Sequence, residues 1–167
     1  MVSDGKKLDR MKKIEHLIWK FLSWLSPKLI KNPIPVVDII IEKDDRILLI
    51  HRAIYPFINK LVIPGGKVEC GETVENAAIR EAKEETGLKV KLKGLFGVYS
   101  NPKRDPRFHS ISTVFVAKPV KGKIKSSFEG EVEWFDLDEI DFNNMGFDHA
   151  LILKDYFRLK KRLNKNR

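Results

Sequence analysis

The hydrophobic pattern changes period along this chain. Over residues 6–25 apolar side chains recur at helical spacing. Leu8, Met11, Ile14, Leu17, Ile18, Phe21, Leu22 and Leu25 form one stripe, and Lys7, Arg10, Lys13 and Lys20 lie mostly off it. Pro27 and Pro33 end this helix and mark a linker. From Val36 the apolar runs become short and β-rich. Residues 36–42 and 46–51 predict two strands joined as a hairpin at Lys43-Asp44-Asp45. Residues 61–63 lead into Pro64-Gly65-Gly66. Residues 75–86 read as a helix, with Thr73 near its start and Gly87 at its end. Further strands are predicted at 90–99, 111–117 and 131–135, then a short helical turn around 138–140. A last helix runs from about 149 to 163, with Asp148 as its N-cap and Ile152, Tyr156, Leu159 and Leu163 on one side.

Composition narrows the class. A chain of 167 residues with 43% hydrophobic content suits one domain with a real core. The division expected is an N-terminal helix and linker over residues 1–33 and a domain over 34–167. Cys70 is the single cysteine, which excludes an internal disulfide. There is no run of about 18 apolar residues to span a bilayer, and the charged N-terminus does not read as a secretory leader. A cytoplasmic location is the expectation.

The net charge of +9 sits at the two ends. Residues 1–33 hold 8 basic and 3 acidic residues, residues 154–167 hold 7 basic and 1 acidic, and the middle is left at −2. Solvated helix faces and a frayed tail account for such ends, and contact with nucleic acid or an anionic membrane surface is the sharper alternative. For the first helix, packing on its own domain or on a twin subunit in a homodimer competes with lying on a membrane, where Trp19 and Trp24 would suit the interface.

The chemistry is concentrated in residues 66–88, GKVECGETVENAAIREAKEETGL. On a helix, Glu81 shares a face with Glu84 and Glu85. Like charges at that spacing repel, and a divalent cation relieves them; clustered oxygen donors suit Mg²⁺ or Mn²⁺. Arg80 can pair with Glu84 four residues on, and Gly65-Gly66 lets the backbone approach a metal or phosphate closely. A solvated charged helix face is the plain alternative.

The spacing weighs against that alternative. Gly66, Glu72, Arg80, Glu81, Glu84, Glu85, Gly87 and Leu88 fall where the box of the Nudix hydrolases has them, and the segment resembles that family at every fixed position. Chance would produce such a match about once in 10⁸ to 10⁹ positions. The resemblance covers roughly residues 34–160. It implies an α/β fold, a Nudix-type α/β/α sandwich around a mixed sheet, to which this chain adds its N-terminal amphipathic helix. It implies Glu81, Glu85 and the Gly65 carbonyl as ligands of Mg²⁺ or Mn²⁺, Glu84 as a ligand or a supporting group, and Glu72 with Arg80 as the pair holding loop to helix. A carboxylate outside the box is expected to assist, and Glu129 and Glu131 are both candidates.

For the substrate, residues 97–112 are the informative stretch. Pro102 and Pro106 stiffen it, and Arg104 and Arg107 are candidates to clamp phosphate, with Arg52 as a third. This loop is similar to that of the ADP-ribose pyrophosphatase branch, which implies a nucleotide-sugar substrate, ADP-ribose giving AMP and ribose 5-phosphate. Nucleoside triphosphates, dinucleoside polyphosphates and capped RNA remain alternatives, as does a non-catalytic ADP-ribose-sensing or nucleic-acid-binding module. An intact set of box carboxylates and the lack of a second N-terminal helix weigh against that module. Tyr55, Phe57, Tyr99 and Phe108 are candidates for an adenine slot. His51 and His109 form no metal-spaced pair, and Cys70 has no adjacent base.

Overall fold

A computed structural model describes residues 32–165, together with residue 14 and residues 17–21. The rest of the predicted N-terminal helix, Trp24 included, lies outside the described residues. The order of elements from Ile34 is β1 (Ile34–Lys43), β2 (Arg46–Arg52), β3 (Leu61–Val62), β4 (Gly65–Lys67), α1 (Val74–Thr86), β5 (Lys89–Tyr99), β6 (Ser110–Lys121), β7 (Gly130–Asp136), a 3₁₀ turn (Phe142–Asn144) and α2 (His149–Lys165).

β1 is central. It pairs antiparallel with β2 and β4 and parallel with β6, so the sheet is mixed, and β5 flanks β6 antiparallel while β7 and β3 extend β2. Its near-continuous apolar run reflects burial on both faces. Val37, Ile39 and Ile41 point to one side and pack with Leu48, Phe115 and the Ala77–Ala78–Ala82 face of α1. Ile40 points to the other side, with Ile47, Leu49, Val114 and the Ile152, Leu153 and Tyr156 face of α2. Two cores on opposite faces of one sheet make the sandwich.

The turns follow the residues. Asp44 and Asp45 both take positive φ, 51° and 60°, as a two-residue hairpin of the right twist requires. Thr73 caps α1 by accepting from the Asn76 amide, and Gly87 closes it with φ 74°. One expectation needs correction. The helical turn lies at Phe142–Asn144, capped by Asp141, and residues 137–139 form only a hydrogen-bonded turn. Asp148 stands at the N-cap position of α2, where its carbonyl accepts from the Ile152 amide at 3.1 Å, while its carboxylate oxygens go to Arg104, 2.8 and 3.0 Å away. The stripe on α2 is buried only at Ile152 and Tyr156, while Leu159 and Leu163 run past the sheet into solvent.

Glu42, at the far end of β1, joins three elements by accepting from Lys93 on β5 and from Tyr156 and Lys160 on α2. Burial alone would raise its carboxyl, but these donors bring it down from 4.5 to about 2. A depressed carboxyl stabilises the fold above its ordinary pKa, and that contribution is lost as pH falls through about 2. Glu42→Gln is expected to destabilise the protein by about 2 kcal/mol at pH 7. Urea unfolding at pH 7 and pH 2.5 checks this. A gap between variant and wild type that does not shrink in acid counts against the assignment.

Candidate active site

The site lies where β1, β4 and α1 meet the loop entering β7. A cavity of about 300 Å³ opens there, within the size range of small-molecule sites. Its lining includes the carboxylates of Glu81, Glu85 and Glu129 and the guanidinium groups of Arg52, Arg104 and Arg107.

Glu85 is almost fully buried and accepts a 2.8 Å bond from the Gly65 amide, which docks the end of α1 on β4. Burial pushes its carboxyl well up, and the nearby charges of Glu129 and Glu81 push it further. Glu81 is also raised, first by burial, with Glu84 and Glu129 adding and Arg80 opposing. Gly66 makes the approach possible, since a Cβ there would sit 2.1 Å from the Glu81 carboxylate.

Arg80 fastens this arrangement. It holds Glu72 through two nitrogens, at 2.6 and 3.2 Å, and bonds Glu81 at 2.8 Å, Glu84 at 3.2 Å and the Lys67 carbonyl at 3.0 Å. Loop and helix are thereby joined by one guanidinium. Glu84 is turned the other way from Glu85, with its side chain 60% exposed, and does not line the cavity.

The two outside carboxylates part company. Glu129 enters the cavity and accepts from Arg52 at 2.9 Å. Glu131 is exposed on β7, paired in register with His51. Gly130 separates them. Its φ is 155°, and a Cβ would meet the His51 carbonyl at 2.0 Å, so the chain passes too close to β2 for any side chain. That bend turns Glu129 inward.

The predicted arginines also divide. Arg52 is buried and anchored by the Pro56 carbonyl at 2.7 Å, and Arg107 lies near enough to repel it. Arg107 grips Asp105 at 2.8 and 3.0 Å and stacks over Phe108. Arg104 lines the cavity too, and its nitrogens are bonded to Asp148, Ser110 and Asp38, with the Asp38 bond at 2.7 Å. Asp38 also accepts from Ser112, and the His149 imidazole lies 3.3 Å from it. His149 Nδ1 accepts from the Ile63 amide, so Nε2 carries the hydrogen facing Asp38. Burial opposes the Asp38 charge, but His149, Arg104 and Ser112 hold its carboxyl far below the usual range. Sequence reasoning missed this buried network, because partners up to 111 positions apart leave no local signal.

Of the proposed adenine residues, Phe108 lines the cavity. Phe57 packs edge-on against Phe147, and Tyr99 bonds Asp155 on α2.

The donor set fits a hard divalent cation, since Glu81, Glu85 and Glu129 offer oxygens whose mutual repulsion such an ion relieves. Among the described residues, no three acidic, imidazole or thiol groups stand close enough together to hold a metal ion by themselves, so an Mg²⁺-type ion here would need water and substrate phosphate to complete its shell.

The chain thus has a mixed sheet between helices, with a glycine-rich loop and a glutamate-bearing helix at one end of the sheet. The NUDIX domain model matches residues 32–156, and the chain belongs to the Nudix hydrolase family. It is 52% identical over 134 residues to a protein of Methanocaldococcus jannaschii named ADP-ribose pyrophosphatase, covering 80% of this chain and 78% of that one. Its fold matches a Nudix hydrolase from Nitrosomonas europaea with a TM-score of 0.73 and 31% identity, over 80% of this chain and 74% of that one. It also matches a bifunctional NMN adenylyltransferase/ADP ribose pyrophosphatase from Francisella tularensis, solved with AMP and a Mn ion. There the TM-score is 0.72 and the identity 26%, covering 89% of this chain and 47% of that longer one. Among the described residues no helix is long and apolar enough to cross a membrane.

Proposed function

We propose that this Nudix hydrolase is a divalent-metal-dependent ADP-ribose pyrophosphatase that cleaves ADP-ribose with water to AMP and ribose 5-phosphate. The observation that carries the reading is that Glu81, Glu85 and Glu129 all line one cavity in a chain 52% identical to a protein bearing that name.

Glu81, Glu85 and the Gly65 carbonyl would hold Mg²⁺ or Mn²⁺. When bound, the ion supplies charge neutralisation at the diphosphate and a more acidic water. Arg80 keeps Glu81 in place, and the Gly65 amide keeps Glu85 in place. Glu129, oriented by Arg52, is placed to take the proton of the attacking water. It is preferred to Glu131, which faces solvent. Arg52 and Arg107 give the cavity the positive charge that a diphosphate needs. Arg104 positions the loop that carries Arg107. Glu72 and Glu84 serve through Arg80.

The test is incubation with Mg²⁺, and separately Mn²⁺, of ADP-ribose, a dinucleoside polyphosphate, an oxidised deoxynucleoside triphosphate and a capped RNA, with products separated by chromatography. Stoichiometric AMP and ribose 5-phosphate from ADP-ribose, at the highest kcat/KM of the set, is the expected result. Preference for another substrate would overturn the substrate assignment, and no turnover alongside ADP-ribose binding would favour a sensor.

A further inference from the structure

Ile63 and Pro64 bridge β3 and β4 and lead directly to Gly65. Proline brings no amide to this bridge, and the Ile63 amide lies outside both strands in a residue only 2% exposed. A buried N–H without an acceptor is costly. This one donates to His149 Nδ1 at 2.9 Å, 86 positions away, on the first residue of α2. The next two residues are held as well. The Pro64 carbonyl accepts from the Ile39 amide at 2.8 Å, and the Gly65 amide donates to Glu85 at 2.8 Å. β1 and α1 thus hold Pro64 and Gly65, while α2 holds Ile63 through one imidazole.

That imidazole is itself held from several sides. It is 3% exposed, its ring centre lies 5.1 Å from that of Phe147, and Nε2 faces Asp38 at 3.3 Å. Asp38 is the register partner of Gly65, so the carboxylate that steadies His149 stands across the ladder from the same glycine. The approach to α2 is sewn to the same stretch, since the Gly146 amide donates to the Leu61 carbonyl at 2.9 Å.

We propose that His149 is a positioning residue for the metal site: by accepting from the Ile63 amide it fixes residues 63–65 and so sets where the Gly65 carbonyl stands for a divalent cation. This rests on the reading of that carbonyl as a ligand. A group that orients a ligand governs affinity without touching the ion, because a carbonyl already in place loses little freedom when the ion binds.

Two substitutions separate the two ring nitrogens. His149→Asn puts an amide oxygen close to the place of Nδ1, keeping an acceptor for Ile63 and giving up Asp38. His149→Gln puts an amide nitrogen close to the place of Nε2, keeping a donor toward Asp38 and leaving the Ile63 amide unmatched. The test uses the full chain without substrate, with Mn²⁺ titration followed by the resonance of the free ion and amide hydrogen exchange followed by NMR. His149→Gln is expected to weaken Mn²⁺ binding by roughly tenfold or more, as loss of an orienting partner does, and to speed exchange at Ile63 by roughly tenfold. His149→Asn should stay within about threefold of wild type in both. With ADP-ribose, raising Mg²⁺ should restore most of the turnover lost in His149→Gln, which a misfolded site would not allow. In wild type, saturating Mg²⁺ should slow exchange at Ile63 by reciprocal coupling, a measurement that needs no variant to fold. Wild-type Mn²⁺ affinity in His149→Gln, a loss in His149→Asn as large as in His149→Gln, or exchange at Ile63 indifferent to Mg²⁺ overturns the role of His149 and leaves the metal site standing. A wild type that binds no Mn²⁺ overturns both.

Discussion

Glu85→Gln is expected to lower kcat/KM for ADP-ribose by roughly 10²-fold or more, at least about 2.7 kcal/mol of transition-state stabilisation, while leaving the protein as stable as before or more so. The two halves of this result have one cause. The Glu85 carboxylate is buried, faces Glu129 and Glu81, and is raised well above its ordinary pKa. In the protein without metal at neutral pH that charge is a cost to the fold. Glutamine keeps the shape and can still accept from the Gly65 amide, so it removes the cost without opening a cavity. It also removes the charge that a divalent cation needs. Thermal denaturation with and without Mg²⁺ separates the effects. Wild type should gain stability from the ion by mass action, and Glu85→Gln should gain much less. A variant that loses activity yet is stabilised by Mg²⁺ as strongly as wild type would remove Glu85 from the proposed metal site.

Asp38→Asn is expected to be the most destabilising single-atom-scale change near the site, costing about 3 kcal/mol and lowering Tm by roughly 10 °C. Asp38 lies on β1, 6% exposed, and receives Arg104, Ser112 and His149. Asparagine turns a charge-accepting oxygen into an amide and leaves Arg104 buried with Asp148 as its one remaining carboxylate. The loss of the partner, more than the worth of the pair, sets the size of the effect. Combining it with Arg104→Met should return part of the stability, because the unpaired cation is gone. The expected functional consequence is indirect, through a loosened loop at Arg107. Chemical unfolding of the single and double variants decides the matter. A cost under about 1 kcal/mol for Asp38→Asn would show that Asp148 alone satisfies Arg104. Additive losses in the double variant would show that the two residues are not coupled.

The boundary between what could be read and what could not follows the range of the interactions. Strand alternation, the Asp44-Asp45 turn, the Thr73 and Gly87 caps and the helical register of Glu81 and Glu85 are all set by residues within a few positions of one another. The sequence therefore determined the elements, their order and the family. β4 escaped because Gly65–Lys67 is too short and too glycine-rich to carry a period, and it exists as a strand only by pairing with β1.

The tertiary structure decided everything that depends on distant partners. Arg104 and Arg107 look alike in a proline-stiffened loop. Both line the cavity, and only the arrival of Asp38 and Asp148 from β1 and the start of α2 makes the first a buried strut, while the second is held by its neighbour Asp105. Glu129 and Glu131 are equivalent on paper, and the backbone of β2 pressing on Gly130 is what sends one inward and leaves the other in solvent. For the N-terminal helix, periodicity fixed which residues share a face but not which face meets the protein. Burial of apolar surface favours the stripe, yet among the described residues of this helix it is Trp19, off the stripe, that lines the cavity. Periodicity is a property of one element, whereas orientation is a property of two surfaces, and the second surface is written elsewhere in the chain.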